Sequence, residues 1–129
     1  MNKDLEFIRQ LVINETGFDP KTKRNKRSIV DARKIFILVA FQQVKEATDT
    51  GVGIFLGFNH SNINHHKNNS YHLVESDKQF KEHFLNISNK YFSYSKEITL
   101  EKLDSEITLL KNRIENLHYK RLEILNVHS

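Results

Sequence analysis

The segment VGIFLGFNHSNINHH, from Val52 to His66, indicates the fold more directly than any other part of the chain. An apolar stretch, Val52 to Leu56, is followed by the turn residues Gly57 to Asn59, and a second helical segment begins at His60. Two short helices joined by a tight turn have the dimensions of a helix-turn-helix motif. In that motif the N-terminal end of the second helix enters the major groove of DNA.

The start of the second helix is polar, and its side chains can donate and accept hydrogen bonds. Asparagine can contact adenine through two hydrogen bonds, and serine and histidine can serve several bases. Ile63 is expected to pack inward, which leaves an outward set of candidate base contacts: His60, Ser61, Asn62, Asn64 and His65. Lys67 is the candidate phosphate contact of this helix. The same composition also fits a polar helix whose side chains cap its N-terminus and face water without binding DNA.

Positive charge is concentrated before the motif. Seven basic residues lie between Lys21 and Lys34, with only Asp31 against them, in a chain whose net charge is +4. Such a segment is typical of proteins that bind polyanions, because neutralising phosphates releases counterions. A solvated loop with no partner has the same charge pattern.

Apolar spacing predicts helices on both sides of the motif and therefore an all-α fold. Residues three and four apart, such as Leu5, Ile8 and Val12, form one face of a helix. The stretch from Ile35 to Phe41 is apolar on every side, as in a helix surrounded by other elements. Besides the short helix Val52 to Leu56, the predicted helices are Asp4 to about Glu15, Ser28 or Asp31 to about Ala47, His60 to about Val74, and Asp77 to Tyr91.

The last part of the chain has a heptad pattern, in which apolar residues occupy positions a and d: Leu100, Leu103, Ile107, Leu110, Ile114 and Leu117, with Ile124 after Arg121. We expect a homodimer through this C-terminal helix. In a parallel dimer Glu106 at position g would face Lys111 at position e of the partner. Alternatively, a hinge near Ser95 would let the helix fold back, antiparallel, on the apolar stripe from Phe80 to Tyr91 of the same chain. The predicted parts are residues 1–94, a helix-turn-helix domain, and residues 95–129, a C-terminal helix.

Two blocks resemble the C-terminal DNA-binding domain of the bacterial replication initiator DnaA. KRSIVDARKI, Lys26 to Ile35, is similar to the place where that family's basic loop enters an Arg-Ser-Ile-Ala-x-Pro-Arg-Gln-Ile helix. Val52 to His66 is similar to its Ile-Gly-x-x-Phe-Gly-Gly-Arg-Asp-His-Thr-Thr-Val-x-His signature, with one glycine missing. The order and separation of the blocks agree, and the likeness covers roughly Leu5 to Ile87. The resemblance implies a DnaA-like helix-turn-helix bundle that binds duplex DNA, without the ATPase domain.

The resemblance also implies roles for single residues. Arg27 corresponds to a loop arginine that enters the minor groove, and Arg33 to a residue near a phosphate. His60 to Asn62 take the His-Thr-Thr positions that meet bases and backbone in the major groove. The full DNA-binding set predicted from the residues and the resemblance is Lys23, Arg24, Lys26, Arg27, Arg33, Asn59, His60, Ser61, Asn62, His65 and Lys67.

Four positions depart from the family pattern: Ala32 replaces proline, Phe58 arginine, Asn59 aspartate and Asn62 threonine. The family's aspartate is an acceptor for a cytosine amino group, and the methyl group of its threonine could meet a thymine. The resemblance therefore implies DnaA-like docking rather than the family's own target sequence.

Several function classes are disfavoured by the sequence. The chain has no cysteine for a disulfide, thiol nucleophile or zinc site, and its histidines lack the i, i+4 spacing of a helical zinc pair. The four glycines form no phosphate loop, nothing resembles a nucleophile elbow, and no apolar run could span a bilayer. The N-terminus does not have the pattern of a secretory signal. We expect a cytoplasmic, non-enzymatic protein without metal, cofactor or nucleotide.

The process that such DNA binding would serve is expected to be replication or transcription control, for example in a phage or mobile element. The main alternative is a non-catalytic adaptor or structural component that kept the fold and lost DNA binding.

Overall fold

The computed structural model describes residues 1–128 and contains helices but no strand within them, which confirms the all-α prediction. Five helices follow one another along the chain: α1 Asn2–Thr16, α2 Arg27–Gln43, α3 Asp49–Leu56, α4 His60–Ser76 and α5 Lys78–His128. The contacts within the chain divide it into two units, Met1–Ser93 and the part from Tyr94 onward. None of the described helices has an apolar stretch long enough to cross a membrane.

Helix α2 forms the centre of the first unit. Six consecutive residues, Ile35 to Ala40, are at most 1% exposed. Because an α-helix has 3.6 residues per turn, six consecutive buried residues face every direction around the axis. The helix is accordingly surrounded, with α1 and α4 packed against it, while α3 packs against α4 and α1.

Glycines in the left-handed conformation end two of the helices. Gly17 follows α1 and Gly57 follows α3, each with a φ angle of 81°. The backbone N–H of Gly57 donates to the carbonyl of Gly53, and so does the N–H of Phe58. Only glycine adopts this conformation without a steric cost, so Gly57 determines where α3 stops and the turn begins.

Helix α2 is shorter at its C-terminal end than its sequence indicated. It stops at Gln43, and Val44 has an extended backbone with φ −97° and ψ 111°. This change of direction keeps the Val44 side chain in the core at 4% exposure. Helix α2 also begins one residue earlier than the sequence predicted, so Arg27 is its first residue rather than part of the preceding loop.

Helix α5 runs through the segment around Ser95 in which a hinge was predicted, and the division between the two units falls in the same segment, after Ser93. Thr99 Oγ1 donates to the carbonyl of Ser95 at 2.9 Å, a contact one helical turn apart. The segment from Ser93 to Glu97 is polar but contains neither glycine nor proline, so nothing in it forces the helix to end.

Candidate nucleic-acid interface

The basic loop, residues 21–26, lies against the turn between α3 and α4. The ammonium group of Lys23 donates to the carbonyl of Gly57 and lies 3.4 Å from the carbonyl of Leu56. The same group is 4.0 Å from the centre of the Phe58 ring, and Lys21 Nζ is 4.1 Å from that of Phe55. Cations at these distances are attracted to the ring faces. The two segments that the sequence analysis singled out are therefore in direct contact.

Arg33 supports the basic loop from its buried, inner side. Its side chain is 2% exposed, and its guanidinium donates to the carbonyls of Pro20 at 3.3 Å, Arg24 at 3.3 Å, and Thr22. The guanidinium carbon also lies 4.3 Å from the centre of the Phe58 ring. A planar group with five N–H donors is suited to several carbonyls at once. Burial lowers the pKa of the Arg33 guanidinium.

The predicted phosphate contact of Arg33 is therefore wrong for this structure. The side chain is buried on the inner side of the loop, and its donors are directed to loop carbonyls instead of solvent. Two further predicted phosphate contacts, Lys23 and Lys67, also have internal partners. Lys67 Nζ is 3.0 Å from Asp49 Oδ1 and 4.3 Å from the centre of the Phe41 ring. These three cations stabilise the fold around the turn.

The remaining cations of the predicted set face solvent. Arg24, Lys26 and Arg27 are exposed, and the Arg27 side chain has 82% of its surface free. Arg27 approaches the carboxylates of Asp31 at 3.8 Å and Asp77 at 3.7 Å. Ion pairs of this length at an exposed guanidinium contribute little. Arg24, Lys26 and Arg27 can therefore reach an external anion.

The first turn of α4 combines one buried anchor with exposed polar side chains. Ile63 is fully buried, whereas the candidate base contacts, and Asn64 beside them, are exposed: His60, Ser61, Asn62 and His65. Asn59 Oδ1 accepts the backbone N–H of Asn62 at 2.8 Å. Asn59 is thus the N-cap of α4 and uses its acceptor oxygen within the protein. Its predicted role as a DNA contact is limited to its amide N–H groups.

Two residues of the turn are more important than the sequence indicated. The Phe58 ring lies between Lys23 and Arg33 and holds both cations, a role that the family's arginine could not have. A side chain at Gly53 would place its Cβ atom 2.5 Å from the carbonyl oxygen of Phe58. Phe58 was recognisable only as a departure from the family pattern, and Gly53 only as one glycine of the signature.

His66 differs from the exposed histidines of α4. Its Nδ1 atom is buried without a hydrogen-bond partner, and burial, together with the charges of Lys34 and Arg33, lowers its pKa to about 4. His66 is therefore neutral at physiological pH. Within residues 1–128 no three histidine, aspartate or glutamate side chains come together as a metal site would require.

The site has to be interpreted from its own chemistry, since no protein-family model matches this chain and no curated protein matches its sequence. That chemistry consists of the exposed cations Lys23, Arg24 and Lys26 on a loop that is seated against a turn, beside the exposed polar start of a helix. None of these groups resembles a nucleophile activated by a neighbouring base. The arrangement is suited to binding.

Proposed function

We propose that this chain binds duplex DNA through the first unit, with the start of α4 in the major groove. The observation that carries the proposal is the seating of the basic loop on the turn before α4, through Lys23, Phe58 and Arg33. This contact fixes the loop, with its exposed cations Arg24 and Lys26, against the turn from which α4 begins, and Arg27 lies at the other end of α4 beside its C-cap Asp77. A helix-turn-helix protein needs that combination, because phosphate contacts position the helix that reads the bases.

The cations have two separate roles in this proposal. Arg24, Lys26 and Arg27 bind the DNA backbone, with Arg27 directed to the minor groove. Lys23 and Arg33 have a structural role, since they hold the loop in the conformation that presents the other cations to the DNA. The positive end of the α4 dipole adds to the attraction for phosphate.

Base reading is assigned to the first turn of α4. His60, Ser61 and Asn62 are exposed, and each has a short polar side chain. Asn62 is the strongest candidate for adenine, and His65 lies one turn further along the same helix. Because the buried Ile63 anchors this turn in the core, the neighbouring side chains are held in fixed positions at the protein surface.

The second unit supports a homodimer as part of this proposal. Its apolar heptad residues from Leu100 to Leu117 are about half exposed in the single chain. A second copy that covered them would join two DNA-binding units, as in many regulators of replication or transcription, including those of phages and mobile elements.

Selection from a random duplex library tests the proposal, followed by titration of the selected duplex and of random DNA. We expect Asn62→Ala to weaken binding to the selected site by about 1–3 kcal/mol and binding to random DNA by less. Asn14→Ala, at an exposed position of α1, is the matched control and should change neither affinity.

A charge substitution provides the second half of the experiment. Lys26→Gln should weaken both duplexes equally and reduce the salt dependence by about one phosphate contact, whereas the exposed Lys3→Gln on α1 should have no such effect. Equal losses for Asn62→Ala on both duplexes would contradict base reading at that residue. No binding to any duplex at low salt would favour the adaptor alternative.

A further inference from the structure

The part of α5 that belongs to the second unit carries an apolar row along one side. Its members occupy heptad positions a and d and are 48 to 58% exposed: Leu100, Leu103, Ile107, Leu110, Ile114 and Leu117. A soluble protein rarely leaves so long a row of apolar side chains in contact with water. Lys96 and Arg121 occupy the d and a positions at its two ends.

We infer that the row is covered by the same segment of a second copy that runs antiparallel to it. In the inferred register Leu103 lies opposite the partner's Ile114, and Ile107 lies opposite the partner's Leu110. The inference rests on the proposed homodimer and goes beyond it by assigning the direction and register of the two helices. These follow from the charges that flank the apolar row.

Charges at positions e and g fit the antiparallel register. In an antiparallel pair of helices, residues at g face g residues of the other helix, and those at e face e residues. Glu106 then faces the partner's Arg113, and Asp104 faces the partner's Lys111. Because the dimer axis repeats each contact, four opposite-charge pairs form. Lys96 lies opposite the partner's Arg121 at both ends of the row, which gives two like-charge contacts; a parallel dimer also has two, Lys96 with the partner's Lys96 and Arg121 with the partner's Arg121.

Neighbouring antiparallel registers bring like charges together. A shift by one heptad in one direction places Arg113 against the partner's Arg113 and Lys111 against the partner's Lys111. A shift in the other direction places Glu106 against the partner's Glu106 and Asp104 against the partner's Asp104. Each shifted register also forms two attractive pairs, Glu106 with the partner's Lys120 in the first and Glu97 with the partner's Lys111 in the second. These only offset its two like-charge pairs, so the inferred register keeps the larger surplus of opposite charges.

A parallel dimer uses the charges less well. There a g residue faces the e residue five positions later in the partner, so Glu106 meets the partner's Lys111. This gives two opposite-charge pairs instead of four, and Arg113 faces the partner's His118. Isoleucine at a with leucine at d favours two-stranded assembly. Lys96 and Arg121 bound the apolar row in the parallel and the antiparallel dimer alike, so these two residues do not distinguish the orientations. The flanking charges therefore decide the orientation.

Charge-reversal variants of the full chain test the orientation by sedimentation equilibrium. Glu106→Lys should raise the dimer dissociation constant roughly tenfold, because two attractive pairs become repulsive. Adding Arg113→Glu should restore dimerisation, whereas adding Lys111→Glu should weaken it further by opposing the partner's Asp104. Glu115→Lys makes the same charge change at position b, away from the interface, and should leave the dissociation constant unchanged.

A distance measurement gives an independent readout. Because the chain has no cysteine, Ser95→Cys introduces a single site for a spin label. In the inferred register the two labels are separated by 27 residues along the helices, or about 40 Å at 1.5 Å per residue. In a parallel dimer they would lie side by side.

The outcomes separate this inference from the proposed function. Restoration by Lys111→Glu, or labels side by side, would overturn the antiparallel arrangement and leave the dimer intact. A chain that is monomeric at high micromolar concentration would overturn both the arrangement and the dimer. DNA binding by the first unit is measured separately and does not depend on either result.

Discussion

Replacing Arg33 with lysine tests whether this side chain supports the basic loop or contacts DNA. Lysine keeps the positive charge but has one ammonium group in place of the planar guanidinium. If Arg33 served as a phosphate contact, the substitution would leave the fold intact. Since it donates to the carbonyls of Pro20, Thr22 and Arg24 instead, lysine should destabilise the first unit.

The expected loss follows from the contacts. A lysine side chain can donate well to one of the three loop carbonyls, and the other two carbonyls then lack a charged hydrogen-bond donor. Each such loss costs about 1–1.5 kcal/mol, and the weaker contact with the Phe58 ring adds about 0.5–1 kcal/mol. We therefore expect Arg33→Lys to lower the free energy of unfolding by about 2.5–4 kcal/mol.

Urea unfolding followed by circular dichroism measures this loss at a fixed protein concentration, since the proposed dimer would make the midpoint depend on concentration. Hydrogen exchange of residues 21–26 should accelerate at the same time, because these residues lose their support. Arg24→Lys is the matched control: Arg24 is exposed, so the same substitution should change stability by less than about 0.5 kcal/mol.

The reasoning would be refuted by an Arg33→Lys protein with the unfolding midpoint of the Arg24→Lys control. If that protein also bound random duplex DNA more weakly, Arg33 would have to reach the phosphates, as the resemblance implied. A stability loss with faster exchange of the loop would instead establish Arg33 as the residue that shapes it.

Two further predictions follow from buried or strained positions of the first unit. Because the pKa of His66 is about 4 in the folded state, below its ordinary value, stability should fall as pH decreases from about 6.5 to 4. Allowing for partial exposure of the ring, the loss should be about 1–2 kcal/mol, and His66→Gln should remove this part of the pH dependence when both proteins are titrated by urea unfolding. Gly57→Ala and Gly17→Ala should each cost about 1 kcal/mol, because both positions have a φ angle of 81°. Only Gly57→Ala should also weaken DNA binding, since its Cβ atom would lie 2.5 Å from the ammonium of Lys23; equal DNA affinities of the two variants would contradict this.

The helices were largely predictable because their signals are local. The three-and-four spacing of Leu5, Ile8 and Val12 predicted α1, and all three side chains are buried. Glycine at position 57 and asparagine at position 59 marked the end of α3 and the start of α4. Such signals depend on backbone conformation and capping within a few residues, so the sequence contains them in full.

The roles of the basic residues were less predictable because they depend on tertiary contacts. Sequence records the charge of Lys23, Arg33 and Lys67 but not the direction of their long side chains. Their partners are a carbonyl of the turn, the carbonyls of the loop, and Asp49, and these positions are set by the packing of α3 and α4. The continuation of α5 past Ser95 was not predicted for a different reason, since a polar composition alone does not end a helix.

The first turn of α4 separates the residues that could determine a target from the residue that maintains the fold. Ile63 is fully buried, while His60, Ser61 and Asn62 contribute no side chain to the core. Surface positions of this kind tolerate substitution with small changes in stability. In the proposed DNA-binding mode, natural variation or a designed library limited to these three codons would therefore change the recognised sequence while the fold stays stable. The proposal thus implies that specificity can evolve independently of folding.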